Sequence, residues 1–171
     1  MFRCTVPSPL GVLTLASDGE SLTGLWLPGQ KYFAAGLSPD AEERPDLPVF
    51  RQAEAWLAAY FAGRDLPPMP ALCPSGTAFR QAVWALLSDI PYGETVTYGD
   101  LAAQMGKRGL SRSPRAVGGA VGHNPISILI PCHRVLGAGG RLTGYAGGLA
   151  AKEALLTLEK ERRERLSGGE R

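Results

Sequence analysis

The stretch RAVGGAVGHNPISILIPCHRV, Arg115–Val135, contains the two features that most constrain the fold. Its first part predicts a short helix, because Pro114 stands near the first turn, where proline is well tolerated. Its second part, ISILIP, predicts a short buried strand or extended segment. Cys132 and His133 follow this apolar segment directly. The stretch therefore predicts a helix and a core segment that lead into a Cys-His pair.

The segments before this stretch predict a helix-turn-helix. A helix over about residues 98–105 ends at Gly106, and the polar, basic connection KRGLSRS, residues 107–113, joins it to the next helix. Further upstream, TAFRQAVWALLSDIP predicts a helix that Thr77 caps and Pro91 terminates. The second half of the chain is thus expected to be mainly helical.

The first half of the chain predicts a small antiparallel meander followed by a helix. LPVFRQAEAWLAAYF has the 3.6-residue apolar period of a helix over residues 47–62. GRDLPPMPALCPSG, residues 63–76, contains four prolines and is expected to link two subdomains. Three runs of apolar residues bounded by turn residues are predicted as short strands, at residues 1–6, 11–16 and 21–27.

Together these elements predict an α+β fold, with a small N-terminal antiparallel sheet plus a helix and a mainly helical C-terminal domain that contains the helix-turn-helix. We expect a strand-rich supporting subdomain over residues 1–70 and a second domain over residues 77–163, which includes the final helix. Residues 164–171 are expected to form a disordered tail.

Composition and charge narrow the possible partners. The 171 residues are 44% hydrophobic and 20% charged, as in ordinary globular domains. No apolar run approaches the length of a membrane span, and the start MFRCTVPSPLG lacks the apolar stretch of a signal peptide, so we expect a cytoplasmic protein without a membrane partner. Residues 1–79 hold five Lys/Arg and eight Asp/Glu, whereas residues 80–145 hold seven and three. The basic middle of the chain hints at a polyanion as partner.

The pair Cys132-His133 is the strongest candidate for chemistry. Only two histidines occur, His123 and His133, and both lie within ten residues of Cys132. A cysteine attacks as its thiolate, and a nearby histidine commonly provides that form, so we expect Cys132 to be ionised at rest. A structural role remains an alternative for any single Cys-His pair. A zinc site lacks its ligand set, since no CxxC or HxxxH pair is present.

Glu159 is the candidate for the group that orients His133. It follows Leu155 by one turn on the predicted final helix and interrupts an apolar stripe. A carboxylate on a buried stripe is costly unless it is hydrogen-bonded. The three charged residues that follow it are expected to face solvent, namely Lys160, Glu161 and Arg162.

Three elements, in this order and spacing, resemble the O6-alkylguanine-DNA alkyltransferase family, also called methylated-DNA–protein-cysteine methyltransferases. They are the RAVG-x-A…N segment, the PCHRV core and the segment GYAGGLAAKEALLTLE. The resemblance covers about residues 77–160, and residues 1–70 match mainly in SPLG and in their strand-rich character. It implies direct-reversal DNA repair, in which O6-alkylguanine is flipped out of duplex DNA and its alkyl group is transferred irreversibly, once per molecule.

The resemblance also implies roles for single residues of this sequence. Cys132 would accept the alkyl group, and His133 would draw the thiol proton through a water molecule. Glu159 would hold His133 in its basic tautomer, Asn124 would brace the turn that carries the cysteine, and Tyr98 would protonate N3 of the departing guanine. The base pocket would include backbone or side-chain groups of four further residues, Val135, Tyr145, Ala146 and Gly147.

On DNA, the resemblance implies that Arg115 enters the base stack from the minor groove and fills the gap left by the flipped nucleotide. The small residues Ala116, Gly118 and Gly119 would let the helix approach the groove wall, although the two glycines could equally serve packing inside the fold. Contacts to phosphates would come from three basic residues, Lys107, Arg108 and Arg112. We expect a monomer that binds double-stranded DNA without strong sequence preference.

Some members of the family bind zinc near the N-terminus, but Cys4 lacks the partner residues, so we predict neither metal nor cofactor. His123 does not match a critical position of the family. The main alternative is a non-catalytic helix-turn-helix protein that binds alkyl lesions, and such relatives carry another residue in place of the motif cysteine. A transcription regulator and a cysteine hydrolase are further alternatives.

Overall fold

The computed structural model describes residues 1–168, and residues 169–171 lie outside the described part. The chain divides into two compact units. One unit comprises residues 1–75 together with 125–129, and the other comprises residues 76–124 and the chain from residue 130 onward. The short return of residues 125–129 to the first unit was not foreseen, since the sequence boundaries placed all of residues 77–163 in one domain.

The first unit is built on a small sheet with strand order β3-β2-β1-β4. β1 pairs antiparallel with β2, and β2 pairs antiparallel with β3, as the meander predicted. The two-residue β4, which the sequence did not predict, runs parallel to β1. The strands are β1 (Phe2–Ser8), β2 (Gly11–Ser17), β3 (Leu22–Trp26) and β4 (Glu42–Glu43).

Helix α1, Pro48–Phe61, packs against β1 and β2 and completes the core of this unit. Its buried face includes Phe50, Trp56 and Leu57, which follow the helical period. Leu13 and Leu15 of β2 are fully buried on the sheet side. Burial of these side chains, each worth about 1.5–3 kcal/mol relative to exposure, makes the sheet and helix one packed layer pair.

The second unit is mainly helical, so the predicted α+β fold class is confirmed. Thr77 caps α2 by accepting a hydrogen bond from the Arg80 amide, and Thr97 forms a capping box with Asp100 at the start of α3. The Trp84 indole donates a hydrogen bond of 2.8 Å to the carbonyl of Ala120, which fixes α2 against α4. The helices are α2 (Ala78–Ser88), α3 (Tyr98–Lys107), α4 (Pro114–Gly122) and α5 (Leu149–Gly168).

A second, two-stranded sheet positions the reactive segment. β5, Val96–Thr97, pairs in parallel with β6, Val135–Leu136, and the sequence predicted neither strand. β5 leads directly into Tyr98 at the start of α3, and β6 follows directly after the turn that contains Cys132. The pairing therefore brings the start of the helix-turn-helix beside the Cys-His turn.

Two predicted segments differ from the structure. ISILIP is buried, but it is neither a strand nor extended: Ile126 forms a single bridge to Leu25, and a turn follows in which Ile128 has φ +72°. Positive φ is strained for a β-branched residue, and such strain concentrates near functional segments. Residues 164–168, assigned to a disordered tail, continue α5, and residues 169–171 of that predicted tail lie outside the described part.

Candidate active site

Cys132 begins a single 3₁₀ turn, Cys132–Arg134, immediately after Pro131. The Ile130 carbonyl accepts hydrogen bonds from the Cys132 amide and from the Asn124 side chain, both at 2.8 Å. Asn124 therefore ties the end of α4 to the turn that carries the cysteine, which is the place that the sequence expected for it.

The thiol of Cys132 is buried, with 4% of the residue exposed. Burial raises the pKa of Cys132, and neither a hydrogen bond from Asn124 nor the nearby charge of Lys152 offsets this effect. This direction favours the protonated thiol over the resting thiolate that the sequence predicted, because a thiolate in an apolar enclosure loses its hydration.

His133 is fully buried and contacts Glu159 directly, with 2.6 Å between Nε2 and Oε2. Since the carboxylate can only accept, Nε2 carries the proton in the neutral ring. Nδ1 is left as a bare acceptor, and no group of residues 1–168 hydrogen-bonds to it. Burial lowers the pKa of His133, and Glu159 opposes this. The imidazole is therefore neutral at rest and able to take a proton at Nδ1.

Glu159 is the centre of a buried hydrogen-bond network. Besides His133, its two oxygens accept from Arg134 Nε at 2.7 Å, Arg134 Nη2 at 3.2 Å and the Gly93 amide at 3.0 Å. Burial alone would raise the pKa of Glu159, but the bonds and charges of His133 and Arg134 lower it to about 2. The carboxylate is thus ionised at every ordinary pH.

The buried face of α5 consists of Lys152, Leu155, Glu159 and Arg162. The prediction that Glu159 lies on a buried stripe is consistent with this face, and Lys160 and Glu161 are exposed as expected. The prediction that Arg162 faces solvent is wrong, since it packs over the Tyr92 ring, with 5.3 Å between guanidinium and ring centre. Its aliphatic stem and planar head suit a position against an aromatic ring.

Lys152, which the sequence did not single out, is fully buried among backbone carbonyls. Its ammonium group donates to the carbonyls of Val135, Thr143 and Gly144. It thereby joins β6 to the glycine-rich loop that leads into the three further residues of the predicted base pocket, Tyr145, Ala146 and Gly147, all half-buried. Lys152 stands at helical spacing from Leu155 and Glu159, and this spacing was the signal in the sequence that could have identified it as buried.

Tyr98 is half-buried at the start of α3. Burial raises the pKa of Tyr98, and the charge that a Cys132 thiolate would carry raises it further. A Cβ on Gly144 would lie 3.7 Å from the Tyr98 hydroxyl, which places the phenol beside the glycine-rich loop. The phenol is therefore a protonated hydrogen-bond donor at the edge of the pocket region.

The predicted DNA-facing residues lie on the exposed side of the helix-turn-helix. Arg115, Ala116 and Gly119 are exposed on α4, Gly118 is half-buried, and the opposite face is buried through its apolar residues. A Cβ on Gly118 or Gly119 would have no neighbour within 4 Å beyond its own helix, so neither glycine is needed for packing among the described residues. The three basic residues of the connection are exposed, Lys107, Arg108 and Arg112.

The Arg112 side chain folds over Gly106, where it would collide with any Cβ, so part of its length packs on α3. His123 stands at the C-terminal cap of α4, and its Nδ1 lies 2.7 Å from the Gly119 carbonyl. Within residues 1–168, no three His, Cys, Asp or Glu side chains cluster as metal ligands. No helix in that range is long and apolar enough to cross a membrane.

Two family models match the chain. The model described as 6-O-methylguanine DNA methyltransferase, DNA binding domain, matches residues 78–161, and the model described as 6-O-methylguanine DNA methyltransferase, ribonuclease-like domain, matches residues 1–67. The chain belongs to the 6-O-methylguanine DNA methyltransferase family. The family membership predicted from PCHRV and its flanking segments is therefore confirmed.

Relatives named methylated-DNA–protein-cysteine methyltransferase are similar over nearly the whole chain. The protein of Mycobacterium bovis is 49% identical, covering 92% of this chain and 92% of its own. That of Haemophilus influenzae is 46% identical, covering 90% of this chain and 83% of its own. The crystal structure of Mycobacterium tuberculosis OGT in complex with DNA superposes with a TM-score of 0.84 at 46% identity, covering 95% of this chain and 94% of that one.

As a member of this methyltransferase family, the chain is a DNA repair alkyltransferase with a DNA-binding domain, which confirms the predicted activity. The non-catalytic lesion-binding alternative is not favoured, because relatives this similar carry the methyltransferase name and Cys132 is in place.

Proposed function

We propose that this methyltransferase repairs double-stranded DNA by moving an alkyl group from O6 of a flipped guanine to the sulfur of Cys132, once per molecule. The observation that carries the proposal is the contact between His133, the residue after Cys132, and Glu159, with 2.6 Å between Nε2 and Oε2. This contact leaves Nδ1 as the only acceptor on the His133 ring. The main obstacle to transfer is the raised pKa of the buried thiol, and a base that removes the thiol proton overcomes it.

In the proposed step, Nδ1 of His133 takes the Cys132 proton through one water molecule. The sulfur forms a bond to the alkyl carbon as the carbon–O6 bond breaks, and Tyr98 donates its phenolic proton to N3 of the leaving guanine. Solvent then takes the proton from His133 and restores the one on Tyr98. The product thioether has no activated carbon, so the protein is consumed.

The pocket residues are proposed to hold the extruded base. The carbonyls of Cys132 and Val135 would accept from its exocyclic amine, and the Ala146 amide would face O6. The Val135 carbonyl accepts from Lys152 as well, and a carbonyl oxygen has two lone pairs, so both bonds are possible. Gly147 and Gly148 would keep the loop that covers the base pocket free of bulky side chains, and Tyr145 belongs to the same loop.

For DNA, we propose approach through the minor groove with little sequence preference. Arg115 would stack in the gap left by the flipped nucleotide, and Ala116, Gly118 and Gly119 would face the groove wall. Lys107, Arg108 and Arg112 would contact phosphates, which gives salt-dependent affinity. We further propose a cytoplasmic monomer in which residues 1–70 support the transfer domain, residues 77–163.

The test is mass spectrometry of the protein after incubation with duplex DNA that contains one O6-methylguanine. The Cys132 peptide should gain the mass of one methylene, and Cys132→Ala should show no gain while still binding the lesion. Cys73→Ala is the matched control, because Cys73 is an exposed cysteine outside the proposed site, and its variant should transfer at the wild-type rate. A wild-type protein that binds methylated DNA but never gains this mass would refute the proposal.

A further inference from the structure

Arg134, which directly follows the Cys-His pair, contacts the buried network through all three of its guanidinium nitrogens. Its Nε and Nη2 donate to the two oxygens of Glu159, at 2.7 and 3.2 Å, and its Nη1 donates to the Ile90 carbonyl at 2.8 Å. The side chain is 9% exposed. A planar fork that grips both oxygens of a carboxylate is the strongest form of this ion pair.

The guanidinium of Arg134 is also held from one side by an aromatic ring. The Tyr92 ring centre lies 5.5 Å from the Arg134 guanidinium carbon and 5.3 Å from that of Arg162. Both arginines are buried, so the ring contacts two buried cations, one from the Cys132–Arg134 turn and one from α5. The position of Arg134 relative to Glu159 is therefore fixed by contacts on all three nitrogens and on one face.

Glu159 accepts hydrogen bonds both from a permanent cation, Arg134, and from a potential cation, His133. Oε2 is shared between His133 Nε2 and Arg134 Nη2, while Oε1 receives Arg134 Nε and the Gly93 amide. A buried carboxylate facing an imidazole alone favours the charged imidazolium. An imidazolium has donors at both nitrogens and cannot accept a thiol proton. A second, permanent cation on the same carboxylate weakens that preference and acts in the same direction as burial.

We propose that Arg134 is a positioning residue for alkyl transfer: its two-pronged grip on Glu159 neutralises the carboxylate and so prevents His133 from being held as an imidazolium before the lesion arrives. This inference rests on the proposed function, in which His133 receives the Cys132 proton. It gives the buried ion pair a role in setting the proton affinity of the base, beyond holding the fold together.

Several charged groups influence the pKa of His133. Burial is the largest effect and lowers the pKa of His133. The hydrogen bond and charge of Glu159 raise this pKa, and the charges of Arg134 and Lys152 lower it. Lys152 lies on α5 with Glu159 and also acts on Cys132, whereas Arg134 donates hydrogen bonds directly to Glu159. The charged groups that act on the ring are Glu159 and Lys152 from α5 and Arg134 from its own turn. The neighbours of these groups are Cys132, whose charge would act on Tyr98, and Tyr92, which contacts Arg134 and Arg162.

The two histidines allow a direct measurement. In carbon-13 NMR of the full chain labelled at histidine, only His123 and His133 give ring signals, and His123 serves as the internal reference. The His133 signal should titrate below its ordinary value of 6.5 in the wild type. In Arg134→Met, which removes the charge and keeps the length, its midpoint should rise by about one pH unit or more.

The alkyl-transfer rate is measured over the same pH range. Its acid limb should move to higher pH in Arg134→Met by the same amount as the His133 midpoint, whereas a purely structural role would lower the rate equally at all pH values. Arg134→Lys keeps the charge and loses the fork, so its His133 midpoint should stay within about half a pH unit of the wild type. Lys160→Met is the matched control, since it removes an exposed cation next to Glu159 and should shift neither readout.

A His133 midpoint at or above 6.5 in the wild type overturns the inference, even if Arg134→Met fails to fold. An unchanged midpoint in a folded Arg134→Met overturns it as well, and so does a shift in Arg134→Lys equal to that in Arg134→Met. A wild type that transfers no alkyl group refutes the proposed function instead, and the NMR titration still decides what Arg134 does to His133.

Discussion

Replacing Glu159 by glutamine removes the charge at the centre of the buried network while keeping its size. The side chain is 1% exposed, so solvent cannot take the place of the lost carboxylate. Arg134 would be left as a buried cation without its partner, and the glutamine amide would face donors with its own N–H groups. We expect Glu159→Gln to be folded but strongly destabilised at pH 7.

The size of the loss follows from the pKa of Glu159, which burial would raise but which His133 and Arg134 lower to about 2, against an ordinary value of 4.5. A difference of about 2.5 pH units corresponds to about 3 kcal/mol of folding free energy. Breaking a buried ion pair on one side typically costs about 3–5 kcal/mol, which is the same range. Two independent arguments therefore give about 3 kcal/mol.

The pH dependence distinguishes this charge effect from simple loss of packing. Because the pKa is depressed in the folded state, the stabilisation is complete above the unfolded value of 4.5 and disappears as the pH falls toward 2. At pH 3 the wild-type carboxyl already contributes less than about half of its full stabilisation. The difference between wild type and Glu159→Gln should therefore shrink on acidification.

Urea unfolding followed by circular dichroism at pH 7, 5 and 3 measures this difference. Glu161→Gln is the matched control, because Glu161 is exposed on the same helix, and its variant should differ from wild type by less than about 0.5 kcal/mol at each pH. Equal stability of Glu159→Gln and wild type at pH 7 would contradict the network argument. A constant difference at all three pH values would show that packing, and not charge, is what the variant removes.

Two further predictions concern proton donation and DNA contact. Tyr98→Phe should bind lesion DNA as the wild type does but transfer the alkyl group about 100-fold more slowly in single-turnover assays, because the leaving guanine loses its proton donor; an unchanged rate would exclude Tyr98 from that role. Gly119→Leu should fold within about 1 kcal/mol of wild type, since its side chain enters open space, yet bind duplex DNA much more weakly by fluorescence anisotropy. Unimpaired binding by this variant would place the DNA-facing surface elsewhere.

Local patterns in the sequence were sufficient for most elements of the fold. Short apolar runs bounded by turn residues predicted the three strands of the meander, and the Thr77 cap and the Pro91 stop bounded α2 closely. The two-residue strands β4, β5 and β6 were missed, because strands this short are defined only by distant partners. ISILIP was predicted as extended because its composition reports burial, whereas its turn is imposed by bonding to Leu25 from another part of the chain.

The candidate site was predictable to the extent that its residues stood out from their surroundings. Glu159 did, since a carboxylate on an apolar stripe requires a partner, and His133 was one of only two candidates. Arg134 and Arg162 did not, because arginine is usually exposed. Lys152 was marked only by its helical spacing with Leu155 and Glu159, and lysine too is usually exposed. Their burial depends on carbonyls and an aromatic ring supplied by the loops before β5 and before α5.

The resting state of Cys132 could not be inferred from the adjacent histidine. A neighbouring imidazole suggests a thiolate, but its effect depends on the solvation of the sulfur, and burial raises the pKa of Cys132 despite Asn124 and Lys152. A protonated, enclosed thiol reacts slowly with electrophiles in solution, since the thiolate is the attacking form. In the proposed mechanism, the raised pKa of Cys132 therefore leaves activation of the sulfur to Nδ1 of His133, which accepts no hydrogen bond from residues 1–168. On that proposal, the burial that weakens the nucleophile also slows its side reactions, because the thiolate forms only when the base takes the proton.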